Sequence, residues 1–173
     1  MADESPVEAE TLPDAPIAPE RSATLRRKPG MHVVQDETPT TAGARRSTAR
    51  LDQALARARQ CARIADENKA RDILLLDVRP ATPLVDFFVI ATAMTRRQAN
   101  AIAIEIDHEM KKIREMKLGI EGTEEGRWIL MDYGDFVVHV FNDEGRGYYG
   151  LEDVWGDAAR LDWAAEGPAV SSS

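Results

Sequence analysis

Few side chains in this sequence are of a type and spacing that could run chemistry. Cys61 is the single thiol, and no histidine lies near it in sequence, so it reads as a small buried hydrophobe rather than a nucleophile. Three scattered histidines, His32, His108 and His139, cannot build a usual zinc site with one cysteine. His108-Glu109 does not continue into the two-histidine spacing of zinc proteases, and His139 reads as a packed strand residue. No Gly-x-x-x-x-Gly-Lys loop and no Gly-x-Gly-x-x-Gly after a strand is present, which removes those phosphate cradles. Asp86 is the most suggestive carboxylate. Metal-assisted phosphoryl transfer needs two or more acids projecting together, whereas Asp86 is followed by Phe87 and Phe88. Asp132 and Asp135 could replace the pair, but flanking a tight turn is a common task for Asp. The expectation is a protein with no catalytic residues, metal site or cofactor.

Binding is the better fit. All ten aromatic residues lie between Phe87 and Trp163, and Trp128, Tyr133, Tyr148, Tyr149 and Trp155 are many large anchors for a chain without a catalytic set. Composition leaves Trp128 evenly placed between core and contact, and favours the core for Trp155. An acidic rim around such anchors favours a basic protein partner.

The charge supports that view. The 173 residues carry a formal charge of −8. Seven of the 22 bases and eight of the 30 acids fall in residues 1–50, leaving 15 bases and 22 acids, a charge of −7, for residues 51–173. A surface of that sign argues against coating nucleic acid or an anionic membrane. No stretch approaches the roughly 20 apolar residues that span a bilayer. One thiol suits a reducing compartment, and the cytoplasm is the expected location.

Residues 1–50 hold an acidic block and then a basic block, with six of the nine prolines before residue 40 and no apolar period. This reads as a disordered tail, whose basic block is a solubilising linker rather than an arm on an anionic surface. Met31 offers an alternative start, and residues 164–173 read as a second flexible tail. The ordered domain is therefore expected over residues 51–163.

The elements that must position these side chains follow from periodicity. Leu51, Leu55, Ala58, Ala62 and Ala65 predict a helix over 51–69. A short apolar run at Ile73–Leu76 precedes a loop enforced by Pro80 and Pro83. Val85–Ala91 reads as a central strand covered on both faces. Thr95 and Gln98 form a capping-box pattern, followed by a stripe of Ile102, Ile106, Met110 and Ile113 and a stop at Gly119, a helix of about 22 residues or roughly 33 Å. A short strand is expected at Leu118–Glu121. Next comes a hairpin, Trp128–Asp132 and Asp135–Phe141 around a Tyr133-Gly134 turn, which sets Trp128 opposite His139. Tyr148, Leu151, Trp155 and Ala158 predict a last helix. The order implies an α/β fold with a mixed sheet of about five strands covered by helices. Its loop, strand and long helix are nucleotidyltransferase-like without the catalytic acids.

Several segments together resemble the bacterial ribosomal silencing factor family, also called Iojap-like. They are Asp86-Phe87-Phe88-Val89-Ile90-Ala91-Thr92, Thr95-Arg96-Arg97-Gln98, Glu121-Gly122, Trp128-Ile129-Leu130-Met131-Asp132-Tyr133-Gly134-Asp135, Val137-Val138-His139-Val140-Phe141, and Arg146…Tyr148-Tyr149…Leu151-Glu152…Trp155. The resemblance covers about residues 51–159. It implies a nucleotidyltransferase-related fold lacking the catalytic acids. It also implies binding to large-subunit ribosomal protein fourteen, steric blocking of small-subunit joining, repression of translation when nutrients are short, and a homodimer when free. Carried over, the partner-binding residues are Trp128, Met131, Asp132, Tyr133 and Gly134. The resemblance thereby favours contact for Trp128. Ala93 and Thr95 depart from the common Gly and Ser, and Gly147 and Gly150 weaken the last helix by up to about 1 kcal/mol each. The rival readings are a metal-dependent nucleotidyl or phosphoryl transferase using Asp86, and a dimeric scaffold for another partner.

Overall fold

The computed structural model describes residues 41–165, with side chains from Ser47 onward. The expectations for 1–40 and 166–173, the start at Met31 among them, lie outside the described residues. Helix α1 spans Thr41–Glu67, β1 Arg71–Asp77, β2 Phe87–Ala93, α2 Arg96–Lys112, β3 Gly119–Glu121, β4 Trp128–Asp132 and β5 Phe136–Asn142. Two short helices, α3 at Asp143–Tyr149 and α4 at Leu151–Val154, lead to β6 at Ala159–Leu161. The sheet has the order β3-β4-β5-β2-β1-β6, in which only β2 and β5 run parallel. The fold is thus α/β with a mixed sheet covered by helices, carrying six strands where about five were expected. The sixth is Ala-Arg-Leu, three residues too short to show an alternation of their own, and it pairs with β1 from Leu75 to Asp77.

Strand β2 is buried at all seven residues, Thr92 included, as the apolar run expected over Val85–Ala91, broken only by Asp86, predicts for a central strand. On one side of the sheet Ala58, Ala62 and Ala65 of α1 and Ile102, Ile106 and Met110 of α2 pack on Val89, Ile129, Met131 and Val138. Small residues along α1 let its backbone approach the strands closely. Cys61 sits in this core with no exposed surface, where burial pushes its thiol pKa up. The other side is a smaller core of Leu76, Phe88, Ile90, Trp128, Leu130 and Phe141 beneath Tyr149, Leu151 and Trp155.

Four details differ from the pattern-based expectation. Helix α1 begins at Thr41, so residues 41–50 continue the helix and are not tail; Ala42, Ala44, Ala49 and the arginines among them are strong helix formers that need no apolar period. Helix α2 ends at Lys112, seventeen residues in, not near Gly119. Arg114 takes the left-handed conformation (φ 59°) and Glu115 N–H donates to Met110 O at 2.9 Å, the closure of a Schellman end without glycine. The hairpin turns on Gly134-Asp135, with Trp128 opposite Phe141 and Leu130 opposite His139. Gly134 has φ 86°, which only the first turn position of this hairpin requires. The shift is two residues, so every side chain keeps its expected face. Finally, Gly150 adopts the left-handed conformation (φ 51°) and divides the last helix in two.

The cap at the start of α2 forms in part as expected. Thr95 Oγ1 accepts from Gln98 N–H at 3.1 Å, while Gln98 Oε1 reaches past the cap to Met94 N–H at 2.7 Å. Gln98 Nε2 also donates to Asn68 O, tying the start of α2 to the end of α1.

Candidate partner-binding site

The hairpin of β4 and β5 carries the five residues singled out from the sequence, and strand alternation divides them. Trp128 and Asp132 face the smaller core, whereas Met131 and Tyr133 face the larger one, and Gly134 occupies the turn. Met131 has no exposed surface and Tyr133 is 4% exposed. The Tyr133 ring stacks on Phe136 at 4.9 Å, its hydroxyl meets no partner among the described residues, and burial raises its pKa. Asp132 Oδ1 accepts from Gly134 N–H at 2.7 Å, which is the turn-shaping task expected of Asp.

Trp128 is 8% exposed. Its indole stacks on Phe141 at 5.1 Å and lies 4.8 Å from the Tyr149 ring. Nε1–H donates to His139 Nδ1 at 3.1 Å. That bond makes Nδ1 the acceptor and leaves the imidazole proton on Nε2. Burial among aromatic rings pulls the His139 pKa down to about 3, so the ring is neutral at physiological pH.

Arg146 holds the lid of this core in place. Its guanidinium donates to Glu152 at 2.8 Å, to Thr92 Oγ1 at 3.0 Å and to Asp72 O at 3.0 Å, binding α3 to α4, β2 and β1 at once. Asp72 itself takes φ 48° at the bulge where β1 slips against β2. The family motif contained Arg146, but its three-way role depends on a fold that brings residues 72 and 92 beside it.

Two hollows flank the hairpin turn. A polar cleft of about 760 Å³ lies between the turn and the start of α1, bordered by Arg50, Arg79, Asp86, Glu115 and Asp135. Arg50 pairs with Asp135, Arg79 with Asp77 and Arg57 with Glu115. Burial, and then the Asp135 charge, raise the Asp86 pKa. Asp86 and Asp135 border this cleft together, whereas Asp132 lines the other hollow, and Asp135 is held by Arg50. Among the described residues no group of three or more His, Cys, Asp and Glu side chains is placed to hold a metal ion. On the opposite face an apolar groove of about 200 Å³ is walled by Leu84, Phe88, Leu130, Val137 and Trp155, with Asp132 and His139 among its lining. Leu84 was not singled out from the sequence, and Val137 only as part of a strand motif. The available signal at Leu84 was an apolar residue between Pro83 and the strand expected from Val85.

Comparison with known proteins agrees with this architecture. The family model described as "Ribosomal silencing factor during starvation" (RsfS) matches residues 51–172. Ribosomal silencing factor RsfS of Bacillus subtilis is 41% identical over 97 residues, covering 56% of this chain and 82% of that protein. The chloroplastic protein Iojap of Arabidopsis thaliana is 36% identical over 121 residues, covering 66% of this chain and 49% of that protein. A crystal structure of a Chromobacterium violaceum protein superposes with a TM-score of 0.54 at 32% identity, covering 63% of this chain and 90% of that one. A Bacillus halodurans structure gives 0.53 at 34% identity, covering 60% and 94%. The matches span both strands of the hairpin and both helices behind it, and the chain belongs to the ribosomal silencing factor (Iojap-like) family.

Proposed function

We propose that this chain represses translation by binding large-subunit ribosomal protein fourteen and occupying the surface on which the small subunit must join. Membership of the ribosomal silencing factor family is the observation that carries this reading. The acidic charge of residues 51–173 suits contact with a basic ribosomal protein over direct docking on ribosomal RNA. The contact is centred on Trp128, Met131, Asp132, Tyr133 and Gly134. Within that set Gly134, at the turn, meets the partner, while the buried Trp128, Met131, Asp132 and Tyr133 fix the shape presented. The activity is steric and non-enzymatic, requires no cofactor, and takes place in the cytoplasm, with the free protein a homodimer.

Sedimentation with separated ribosomal subunits tests the proposal. The protein should travel with large subunits and reduce the yield of joined ribosomes when small subunits are added. If it stays at the top of the gradient, or joining proceeds unhindered in its presence, the proposal is lost.

A further inference from the structure

The polar cleft between the hairpin turn and the start of α1, about 760 Å³ in volume, holds one charge that the fold does not answer. Four of the five charged side chains in its lining are paired, Arg50 with Asp135, Arg79 with Asp77 and Glu115 with Arg57. The fifth is Asp86, whose carboxylate makes no hydrogen bond or ion pair among the described residues. Burial, and then the Asp135 charge, raise its pKa against the pull of Arg79 and Arg50, which are committed to other acids. The rim above it is apolar and open. Leu84 and Leu118 are each 62% exposed there, with Pro83 beside them. Exposed leucines around an unmet carboxylate suit a segment in which bases stand next to apolar residues.

We propose that residues 25–34 of this same chain dock in the cleft, bringing a base from Arg26, Arg27 and Lys28 to Asp86 and laying Met31, Val33 and Val34 against Leu84 and Leu118, and so cover the hairpin turn until a partner displaces them. Three features point to this segment. The first is reach. Residues 35–40 span up to about 20 Å when extended, more than the roughly 14 Å along the helix from Thr41 to Arg50, where the cleft opens. The second is order. Leu-Arg-Arg-Lys-Pro-Gly-Met-His-Val-Val sets three successive bases close to three apolar side chains. The third is sign. Residues 1–20 hold six acids and no base, and would meet Asp86 with like charge, whereas residues 25–34 contain no acid. Tethering through six residues gives an effective concentration of about millimolar order, so a modest contact suffices. Gly134 and Asp135 line the cleft and also form the turn, so a docked segment and a partner at the turn exclude one another. That competition rests on the reading that the turn meets a ribosomal protein; the docking does not.

The test uses the full chain, ¹⁵N-labelled, with a nitroxide attached through Ser22→Cys; Cys61 is buried and takes no label. The nitroxide should broaden the amide signals of Leu84, Asp86, Leu118 and Gly134 and spare those of Asp143 and Gly147, which follow the opposite end of β5. Asp86→Asn, and separately Arg26→Gln with Arg27→Gln and Lys28→Gln, should reduce that broadening at least threefold. Absence of local broadening, or broadening indifferent to both variants, overturns the docking. Broadening that appears when a nitroxide-bearing chain without ¹⁵N is mixed with a ¹⁵N chain without nitroxide assigns the contact to a second copy and also overturns it. With no nitroxide attached, the variant altered at residues 26–28 should bind isolated large-subunit ribosomal protein fourteen at least threefold more tightly than the unaltered chain. Arg97→Gln with Lys111→Gln and Lys112→Gln removes the same charge from the exposed face of α2 and should give no such gain. Equal affinities, or an equal gain in both variants, overturn the competition while the docking stands. Failure of every chain to bind defeats the ribosomal reading alone, because the docking is read from the broadening.

Discussion

His139 shows how much one buried side chain can decide. It accepts from Trp128, stands against Phe88 and Phe141, and has no charged neighbour in those contacts. Its pKa, near 6.5 in an unfolded chain, lies at about 3 in the folded one. Between those values the unfolded chain binds a proton that the folded chain does not, so stability rises with pH across the window and is lost as pH falls. The slope is up to about 1.4 kcal/mol per pH unit. Urea midpoints should therefore drop between pH 7 and pH 5, and the drop should flatten in His139→Gln. Arg146 is a second decisive residue. Its side chain is largely buried and bonded to Glu152, so Arg146→Ala strands a carboxylate and should cost about 3 kcal/mol. The near-ultraviolet dichroism of the Trp128–Tyr149 pair should weaken in that variant as α3 loosens.

At the scale of elements, glycines set the limits of substitution. A methyl group on Gly122 would lie 1.8 Å from Trp128 O, so Gly122→Ala must displace the start of β4. At Gly134 the added carbon meets only Leu118 Cδ1 at 3.4 Å, and the cost is the backbone conformation, about 1–2 kcal/mol. Thermal melting should rank Gly122→Ala well below Gly134→Ala. These elements also show what a single sequence discloses. Strand β2 was legible because five consecutive apolar residues, Phe87 to Ala91, admit one environment, and the start of α2 because Thr95 and Gln98 spell its cap. Hairpin faces were legible from alternation, but the register was not, since placing the turn at Tyr133-Gly134 or Gly134-Asp135 changes no side chain's face. The end of α2 was hidden because Arg114 adopts a conformation usually left to glycine. Trp128 was recognised as important, yet its burial depends on Tyr149 folding back over it from a separate helix.

For the whole molecule, two sides of one sheet do different work. The larger core, with α1 and α2, supplies a rigid back. The smaller core is closed by short helices and leaves a groove and a turn at its rim. Family membership was legible at this scale from motifs alone, while the groove was not, because it is assembled from three separate strands, a loop and α4's end. The net charge of residues 51–173 adds a kinetic expectation. Association with a basic ribosomal protein should slow as salt is raised through the range where the Debye length falls from about 30 Å to about 10 Å. Stopped-flow rates at two ionic strengths would measure this, and dissociation should change much less.

Cys61 gives the molecule a built-in clock. As the chain's single thiol, sealed between α1 and the sheet, it can meet a dissolved reagent only while that helix is lifted away. The rate at which an aromatic disulfide colours the solution thus counts openings of the rigid back. Comparing that rate with and without bound partner would reveal whether capture at the hairpin turn tightens the far side of the sheet.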